Sequence, residues 1–219
     1  MEHSYLEVLA RGAELVTDGE LPRCPEAEAA LRRLMEGNAR YLEHSRNPAS
    51  ITDLIRLETA HHGQHPYAAL LCCADSRVPP EHIFSAGLGE LFVIRNAGNV
   101  MSPSALGSLE YAAAHLHVPL ILVMGHRGCG AVTAALQKHK EQGALGELIA
   151  EVHLGIGRAH DPRQAERNNL CRSLEGLGES AVLRDLADRG KLAFAGAVYD
   201  IRSGAVELLV DPEPSAEDR

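Results

Sequence analysis

Short, almost uninterrupted apolar runs alternate along this chain with segments of helical periodicity. The runs have the length and the lack of alternation expected of parallel strands buried on both faces. Two further strands near the end of the chain are separated by a polar turn. The five predicted strands are Tyr67–Cys73, Leu91–Ile94, Leu120–Met124, Leu192–Val198 and Val206–Val210.

Apolar residues at three- and four-residue spacings predict helices before and between these runs. The predicted helices are Tyr5–Leu15 in part, Glu26–His44, Thr52–His61 with Thr52 or Asp53 as cap, a short helix opening at Pro79–Glu81, Ser102–His115, Ala131–Lys140, Leu145–His160, and Ala165–Asp188 with Gly176 or Gly178 as break points. Strands that alternate with helices predict an α/β fold with a mostly parallel sheet. We divide the chain into an N-terminal arm (1–25), a single domain (26–210) and an acidic tail (211–219).

Composition narrows the function classes. The chain has 219 residues, of which 45% are hydrophobic and 23% charged, as in ordinary soluble globular proteins. Its formal net charge of -9 argues against nucleic acid as a partner, because phosphate binding needs a basic face. No apolar run reaches the roughly 18 residues of a membrane span, and the N-terminus lacks the basic cluster of a secretory signal. We therefore expect a cytoplasmic protein without a membrane partner.

Soft metal ligands stand where two of the predicted strands end. Cys73 closes the first strand, and His126 and Cys129 follow the third. Sites in parallel sheets lie at the carboxyl ends of strands, so these residues are expected to meet. Two thiolates with one imidazole favour zinc, and three protein ligands leave a fourth position for water, as in catalytic sites. The five cysteines, an odd number, do not suggest a disulfide framework.

Two charged residues, Asp75 and Arg77, follow Cys73 closely. Asp75 could act as a fourth metal ligand, which would close the site. It could instead pair with Arg77 and remain free to accept a hydrogen bond from a metal-bound water. A plain surface ion pair is the third interpretation, and such a pair contributes less than about 1 kcal/mol. Position in the sequence leaves these three open.

Taken together, these motifs resemble the β-class carbonic anhydrases. The resemblance covers roughly residues 28–210 and rests on several segments. They are Cys73–Arg77, Gly125–Gly130, Gly89–Asn99, Ser108–Ala112, Gly196–Asp200 with Gly204, and Glu36–Tyr41, the last similar to the family's N-terminal helix.

The resemblance implies a zinc enzyme that hydrates carbon dioxide reversibly to bicarbonate and a proton. Zinc is then held by Cys73, His126 and Cys129, and Asp75 with Arg77 forms the catalytic dyad. The implied sheet has four parallel strands and an antiparallel edge strand, flanked by helices and preceded by a helical arm. The implied assembly is a homodimer, with a homotetramer as the larger alternative, and the active site lies near the subunit interface.

Further positions bear on the subtype that the resemblance implies. One branch of the family has a glutamine nine residues before the first zinc cysteine, and Gln64 stands there. Phe92 and Tyr111 match pocket aromatics of that branch, and Gly130 completes the predicted substrate pocket. The other branch, in which Asp closes the site, has a tryptophan where this chain has Leu70. We therefore expect an open site, with Asp75 on zinc only in a closed state. Gln64 as a loop residue, and the two aromatics as core packing, remain alternatives.

Two other functions stay open on the sequence. A hydrolase of carbon disulfide or carbonyl sulfide would use the same zinc scaffold. A non-enzymatic zinc or redox module would close the metal site with protein ligands alone. The sequence also leaves unresolved whether Cys72, next to the metal cysteine, competes as a ligand. The role of Arg127, which stands between two predicted ligands, is equally unresolved.

Overall fold

The structure is a computed structural model that describes residues 24–44, 51–138 and 141–209. The helix predicted at Tyr5–Leu15 and the acidic tail at 211–219 lie outside these residues. Eight α-helices and five strands occur in the described part of the chain. In order, they are α1 (Pro25–His44), α2 (Asp53–His62), β1 (Ala68–Cys73), α3 (Pro80–Ile83), β2 (Leu91–Asn96), α4 (Pro103–His115), β3 (Leu120–His126), α5 (Gly130–Leu136), α6 (Gly143–Ile156), α7 (Pro162–Leu177), α8 (Ala181–Asp188), β4 (Ala193–Tyr199) and β5 (Val206–Leu208).

The strands form one sheet in the order β2-β1-β3-β4-β5. Four strands are parallel, and β5 pairs antiparallel with β4 at the edge. Every residue of β1, β3 and β4 is buried, which explains why these strands are continuous apolar runs. The edge strand β2 is only half-buried. The predicted α/β fold, with four parallel strands and an antiparallel edge strand, is confirmed.

Alternate residues of the strands enter two different cores. Leu70 and Cys72 of β1 pack on the side covered by α1, together with Leu122 of β3. Leu71 and Val123 pack on the opposite side, against α4, α7 and α8. This alternation follows from the two-residue period of a strand. It places the adjacent thiols of Cys72 and Cys73 on opposite faces of the sheet.

Helix α1 packs closely on one face of the sheet, through a close backbone contact and a buried side-chain amide. A Cβ atom on Gly37 would lie 1.9 Å from the carbonyl oxygen of Phe84, so only glycine fits there. The side-chain amide of Asn38, buried beside it, donates to the carbonyl oxygens of Ile83 (3.2 Å) and Gly204 (2.9 Å) and accepts from the amide of Val206 (3.0 Å). The Glu36–Tyr41 segment therefore ties α1 to the β4–β5 hairpin.

Several predicted elements have different bounds in the structure, and three of them differ most clearly. The helix expected at Ala131–Lys140 ends at Leu136, and Lys138 has a positive φ of 53°. The helix expected at Ala165–Asp188 is two helices, because Gly178 caps the first and the Ser180 hydroxyl accepts from the Leu183 amide to start the second. The last strand has three residues rather than five. None of the helices in the described ranges is both long and apolar enough to span a membrane.

Candidate metal centre

The predicted ligands stand at the carboxyl ends of two neighbouring parallel strands. Cys73 is the last residue of β1, and His126 is the last residue of β3. Cys72 pairs with Met124 in the register, so the two strands end almost level. Cys129 follows after a two-residue loop, at the position that precedes α5. Strand pairing therefore brings together residues that are more than fifty positions apart.

Cys73, His126 and Cys129 form a compact, buried set of donors. Their exposed fractions are 4%, 1% and 3%, and their ligand atoms all lie within 4.8 Å of one another. In a tetrahedral zinc site with Zn–S near 2.3 Å and Zn–N near 2.0 Å, donor atoms are about 3.5 Å apart. A small inward movement would thus bring the three atoms to zinc-binding distance.

The imidazole of His126 is oriented towards this set. Its Nδ1 donates to the carbonyl oxygen of Arg127 at 3.1 Å, because a carbonyl can only accept. Its Nε2 is then left with a lone pair, and it is buried without a hydrogen-bond partner. A buried polar atom without a partner is costly unless something else satisfies it. The ring therefore fits a metal ligand held in one tautomer by its second nitrogen.

The two thiols are electrostatically unequal in the metal-free chain. The Gly98 amide donates to Cys73 Sγ at 3.3 Å. A hydrogen bond from Cys129 is the main cause that holds the pKa of the Cys73 thiol below its usual range. The same hydrogen bond raises the pKa of Cys129, the donor. Cys73 is thus prepared as a thiolate, the form in which cysteine binds metal.

Cys72 does not belong to the metal centre. It is fully buried in the core beneath α1, on the other face of the sheet from Cys73. Burial raises the pKa of its thiol to about 12. Its orientation and its protonation both oppose metal binding, which answers the question that the sequence left open.

Asp75 is paired with Arg77 by a bidentate contact. Arg77 Nε donates to Oδ1 at 2.9 Å, and Nη2 donates to Oδ2 at 2.7 Å. The Arg77 amide adds a third bond to Oδ1 at 2.9 Å. These bonds, with the side-chain contact as the main cause, hold the pKa of the Asp75 carboxyl well below its usual range. The carboxylate is therefore ionised throughout the neutral pH range.

The Asp75 carboxylate lies beside the donor set without joining it. Its Oδ2 is 4.0 Å from His126 Nε2, and its side chain is 15% exposed. Arg95 braces the backbone here, because its guanidinium donates to the carbonyl oxygens of Cys73 (3.2 Å) and Asp75 (2.7 Å). One face of the carboxylate is thus held by Arg77, and the carboxylate stands next to the donor set.

The predicted substrate residues are not all brought together within one chain. Phe92 and Tyr111 form an aromatic pair with ring centroids 6.2 Å apart, and Tyr111 is 48% exposed. Gln64 is exposed in the segment between α2 and β1. Gly130 is the exposed first residue of α5, and a Cβ atom there would meet nothing within 4 Å. The aromatic pair lies at the open edge of the sheet, on β2 and α4.

One residue at this centre was missed by the sequence analysis. Glu166 of α7 accepts from the amide of Gly128 (2.7 Å) and from Arg127 Nη1 (3.3 Å), both in the loop between His126 and Cys129. It lies 38 residues beyond this loop, in a largely polar helix without a motif. Its burial, at 7% exposure, is the property that distinguishes it, and burial of one glutamate is not readable from such a pattern.

Comparisons with known proteins agree on one family. The sequence profile of a family described as "Carbonic anhydrase" matches residues 68–206. Carbonic anhydrase 2 of Mycobacterium tuberculosis is 35% identical over 193 residues, which cover 82% of this chain and 91% of that protein. A carbonic anhydrase of Synechococcus elongatus is 32% identical over 207 residues, covering 86% of this chain and 74% of that protein.

Solved structures show the same likeness. The β-carbonic anhydrase of Coccomyxa, solved in complex with acetazolamide, superposes with a TM-score of 0.65 at 30% identity and covers 86% of this chain and 90% of its own. The β-carbonic anhydrase CcaA superposes with a TM-score of 0.63 at 27% identity, over 84% of this chain and 93% of its own. The residues matched by the family profile, 68–206, include all three residues of the donor set.

Proposed function

The chain belongs to the β-class carbonic anhydrases and catalyses the reversible hydration of carbon dioxide to bicarbonate; we propose that this takes place at a zinc ion held by Cys73, His126 and Cys129. The observation that carries the proposal is the donor set itself. Two buried sulfur atoms and an unpartnered imidazole nitrogen lie within 4.8 Å of one another. Sulfur with imidazole suits zinc rather than magnesium or calcium.

Three protein ligands leave the fourth coordination position of a zinc ion for water or substrate. When bound, zinc supplies Lewis acidity that lowers the pKa of a water molecule from about 16 towards about 7. Three protein ligands are the number found in catalytic zinc sites, whereas structural sites have four. The bidentate contact with Arg77 favours the open site, because it holds Asp75 away from the fourth position.

In this proposal Asp75 orients the nucleophile. Its carboxylate is ionised and can only accept hydrogen bonds. The oxygen that attacks carbon dioxide must therefore donate its O–H group to Asp75. Holding that proton fixes the direction of the oxygen lone pair, which reduces the entropic cost of reaching the attack geometry. Arg77 is a positioning residue, because it fixes both oxygens of Asp75 in place.

We further propose that a second copy of the chain completes the site. Phe92 and Tyr111 form a partly exposed aromatic surface at the edge of the sheet, and Gln64 is exposed in the chain segment before β1. In a homodimer, Gln64 of one subunit would meet the substrate of the other. A homotetramer remains the larger alternative. The single domain at 26–210 and the cytoplasmic location stay predictions.

Metal removal and reconstitution test this function. The purified protein should contain about one zinc per chain and accelerate carbon dioxide hydration in a stopped-flow assay. Removing zinc with a chelator should abolish hydration, and added zinc should restore it. Full activity in metal-free protein would contradict the proposal. Carbonyl sulfide and carbon disulfide, assayed on the same preparation, test the hydrolase alternative, which the comparisons do not specifically support.

A further inference from the structure

We infer that Glu166 is a positioning residue for the metal centre: its carboxylate holds the loop between His126 and Cys129 in the shape that zinc requires. The inference rests on the proposed zinc function and adds a residue to it. Glu166 lies on α7, outside every motif that led to the family, and its side chain is 6% exposed.

The loop between the two ligands consists of Arg127 and Gly128, and all four of its backbone polar groups have partners. The Arg127 amide donates to the carbonyl oxygen of Tyr199 at 2.9 Å. The Arg127 carbonyl accepts from the His126 ring at 3.1 Å. The Gly128 carbonyl accepts from Arg77 Nη2 at 3.4 Å. The fourth group, the Gly128 amide, donates to Glu166 Oε1 at 2.7 Å, the shortest of these four contacts.

The geometry of Gly128 explains why this bond matters. Its φ of +68° is the left-handed turn that redirects the chain from β3 into α5. The direction of the Gly128 peptide therefore determines where Cys129 Sγ points. It also sets the Arg127 carbonyl that orients the His126 ring. One carboxylate thus acts on two ligands through a single turn.

The position of Glu166 is itself fixed by packing. Helix α7 lies close to the end of β3. A Cβ atom on Gly125 would be 3.7 Å from Leu170 Cβ and 4.0 Å from the Glu166 carbonyl oxygen. The second carboxylate oxygen accepts from Arg127 Nη1 at 3.3 Å. A buried charge needs such a partner, and the pair supplies it. A charged acceptor also binds an amide about twice as strongly as a neutral one.

Zinc affinity of four variants tests the inference. Glu166→Met fills a similar volume without an acceptor, Glu166→Gln keeps an acceptor without charge, and Arg127→Met removes only the ion pair. Glu175→Ala is the control, since Glu175 is on the same helix, is exposed, and pairs with Arg172 at 3.6 Å. Zinc dissociation constants are measured by chelator competition. The absorption spectrum of the cobalt-substituted protein reports ligand geometry, and metal-free melting temperature reports stability.

The expected order follows from the hydrogen bond to Gly128. Glu166→Met should weaken zinc binding about 10- to 100-fold, the usual effect of losing a group that orients metal ligands. Glu166→Gln and Arg127→Met should each weaken it by less, and Glu175→Ala should not change it. The cobalt spectrum should shift in Glu166→Met and not in the control.

Two results would overturn the inference. One is a Glu166→Met protein with a lower melting temperature but the zinc affinity and cobalt spectrum of the control, which would make Glu166 structural only. The other is an Arg127→Met effect as large as that of Glu166→Met, which would assign the effect to the ion pair. Both leave the zinc function intact if the wild-type protein binds zinc and hydrates carbon dioxide. A wild-type protein without zinc would instead remove the proposed function.

Discussion

At the scale of single residues, the contacts of Asp75 bear on whether the proposed zinc site is open. The carboxylate accepts two N–H groups of Arg77 and keeps further lone pairs for another hydrogen-bond donor, while its oxygens lie outside the donor set. In this structure the guanidinium occupies both oxygens. The sequence left three roles for Asp75, and only the geometry of the pair favours one of them.

Asp75→Asn should lower kcat/KM for carbon dioxide hydration by about 100-fold or more, the usual range for a positioned proton acceptor. The amide can present an N–H group to the nucleophile, which reverses the hydrogen bond. Stopped-flow hydration, with zinc content measured on the same samples, checks this. Asp185→Asn is the matched control, because Asp185 also pairs with an arginine, Arg189, at 2.7 Å but lies exposed on α8. An Asp75→Asn protein with full activity would rule out the orienting role.

The lowered pKa of the Asp75 carboxyl leads to a second prediction, which concerns how activity varies with pH. A carboxyl whose pKa is lowered on folding contributes stability above its unfolded pKa, near 3.9, and loses it as the pH falls through the folded value. Arg77 is the main cause of the lowering here. Asp75 therefore does not titrate between pH 6 and 9, and the ratio of wild-type to Asp75→Asn activity should be constant over that range. A ratio that changes tenfold per pH unit would show that Asp75 titrates there.

The adjacent thiols should behave as two different residues. Cys72→Ala should keep about one zinc per chain and lose about 1 kcal/mol of unfolding free energy, because it removes a sulfur from the core beneath α1. Cys73→Ala should lose zinc, since it removes a ligand of the donor set. Zinc analysis and denaturant unfolding on the two variants check both parts. Equal zinc loss in both variants would contradict the separation of the two thiols by the sheet.

The grouping of Cys73, His126 and Cys129 was predictable from the sequence, whereas the residues that orient them were not. Cys73 and His126 follow apolar runs, and parallel strands bring such ends together whatever the details of packing. Glu166, Arg95 and the Gly98 amide act at the same centre, but each depends on how a helix or loop packs against the sheet. No local pattern records that packing.

At the scale of elements, the strands were better predicted than the ends of the helices. Strands β1 and β3 are buried on both sides, so their bounds lie within one or two residues of the predicted apolar runs. The helix ends depend on single residues. The break between α7 and α8 is made by Gly178, which caps the end of α7, and by Ser180, whose hydroxyl caps α8 at 3.1 Å. The sequence suggested glycines as breaks, and the added serine cap explains why a second helix starts again.

Two helical glycines should respond in opposite ways to alanine. Gly37→Ala should lower the free energy of unfolding by about 1–3 kcal/mol, because the added Cβ would lie 1.9 Å from the backbone oxygen of Phe84 and force α1 away from the sheet. Gly107→Ala, on α4, should raise it by about 0.5–1 kcal/mol, since nothing lies within 4 Å of that Cβ and alanine favours the helix. Urea unfolding measures both. A Gly37→Ala protein as stable as wild type would contradict the close packing of α1.

At the scale of the whole molecule, α2 is not covered by the described chain. None of its residues is buried, and its apolar side chains Leu54 and Leu57 are 68% and 49% exposed, with Ile51 just before it at 71%. A helix gains most of its stability from packing of its apolar face. Gln64 follows α2 by two residues, so whatever covers α2 also fixes the position of Gln64.

We therefore expect a dimer whose assembly and activity depend on the apolar side of α2. Wild-type protein should be dimeric or larger by light scattering after size exclusion. The double change Leu54→Asp and Leu57→Asp should shift it towards monomer, because burying two unpaired carboxylates is costly. Activity per chain should fall with assembly, since the Gln64 of the partner would be lost. Leu154→Asp is the control, because Leu154 is 69% exposed on α6. Full activity per zinc in a monomeric double variant would show that one chain is sufficient and that Gln64 does not act across subunits.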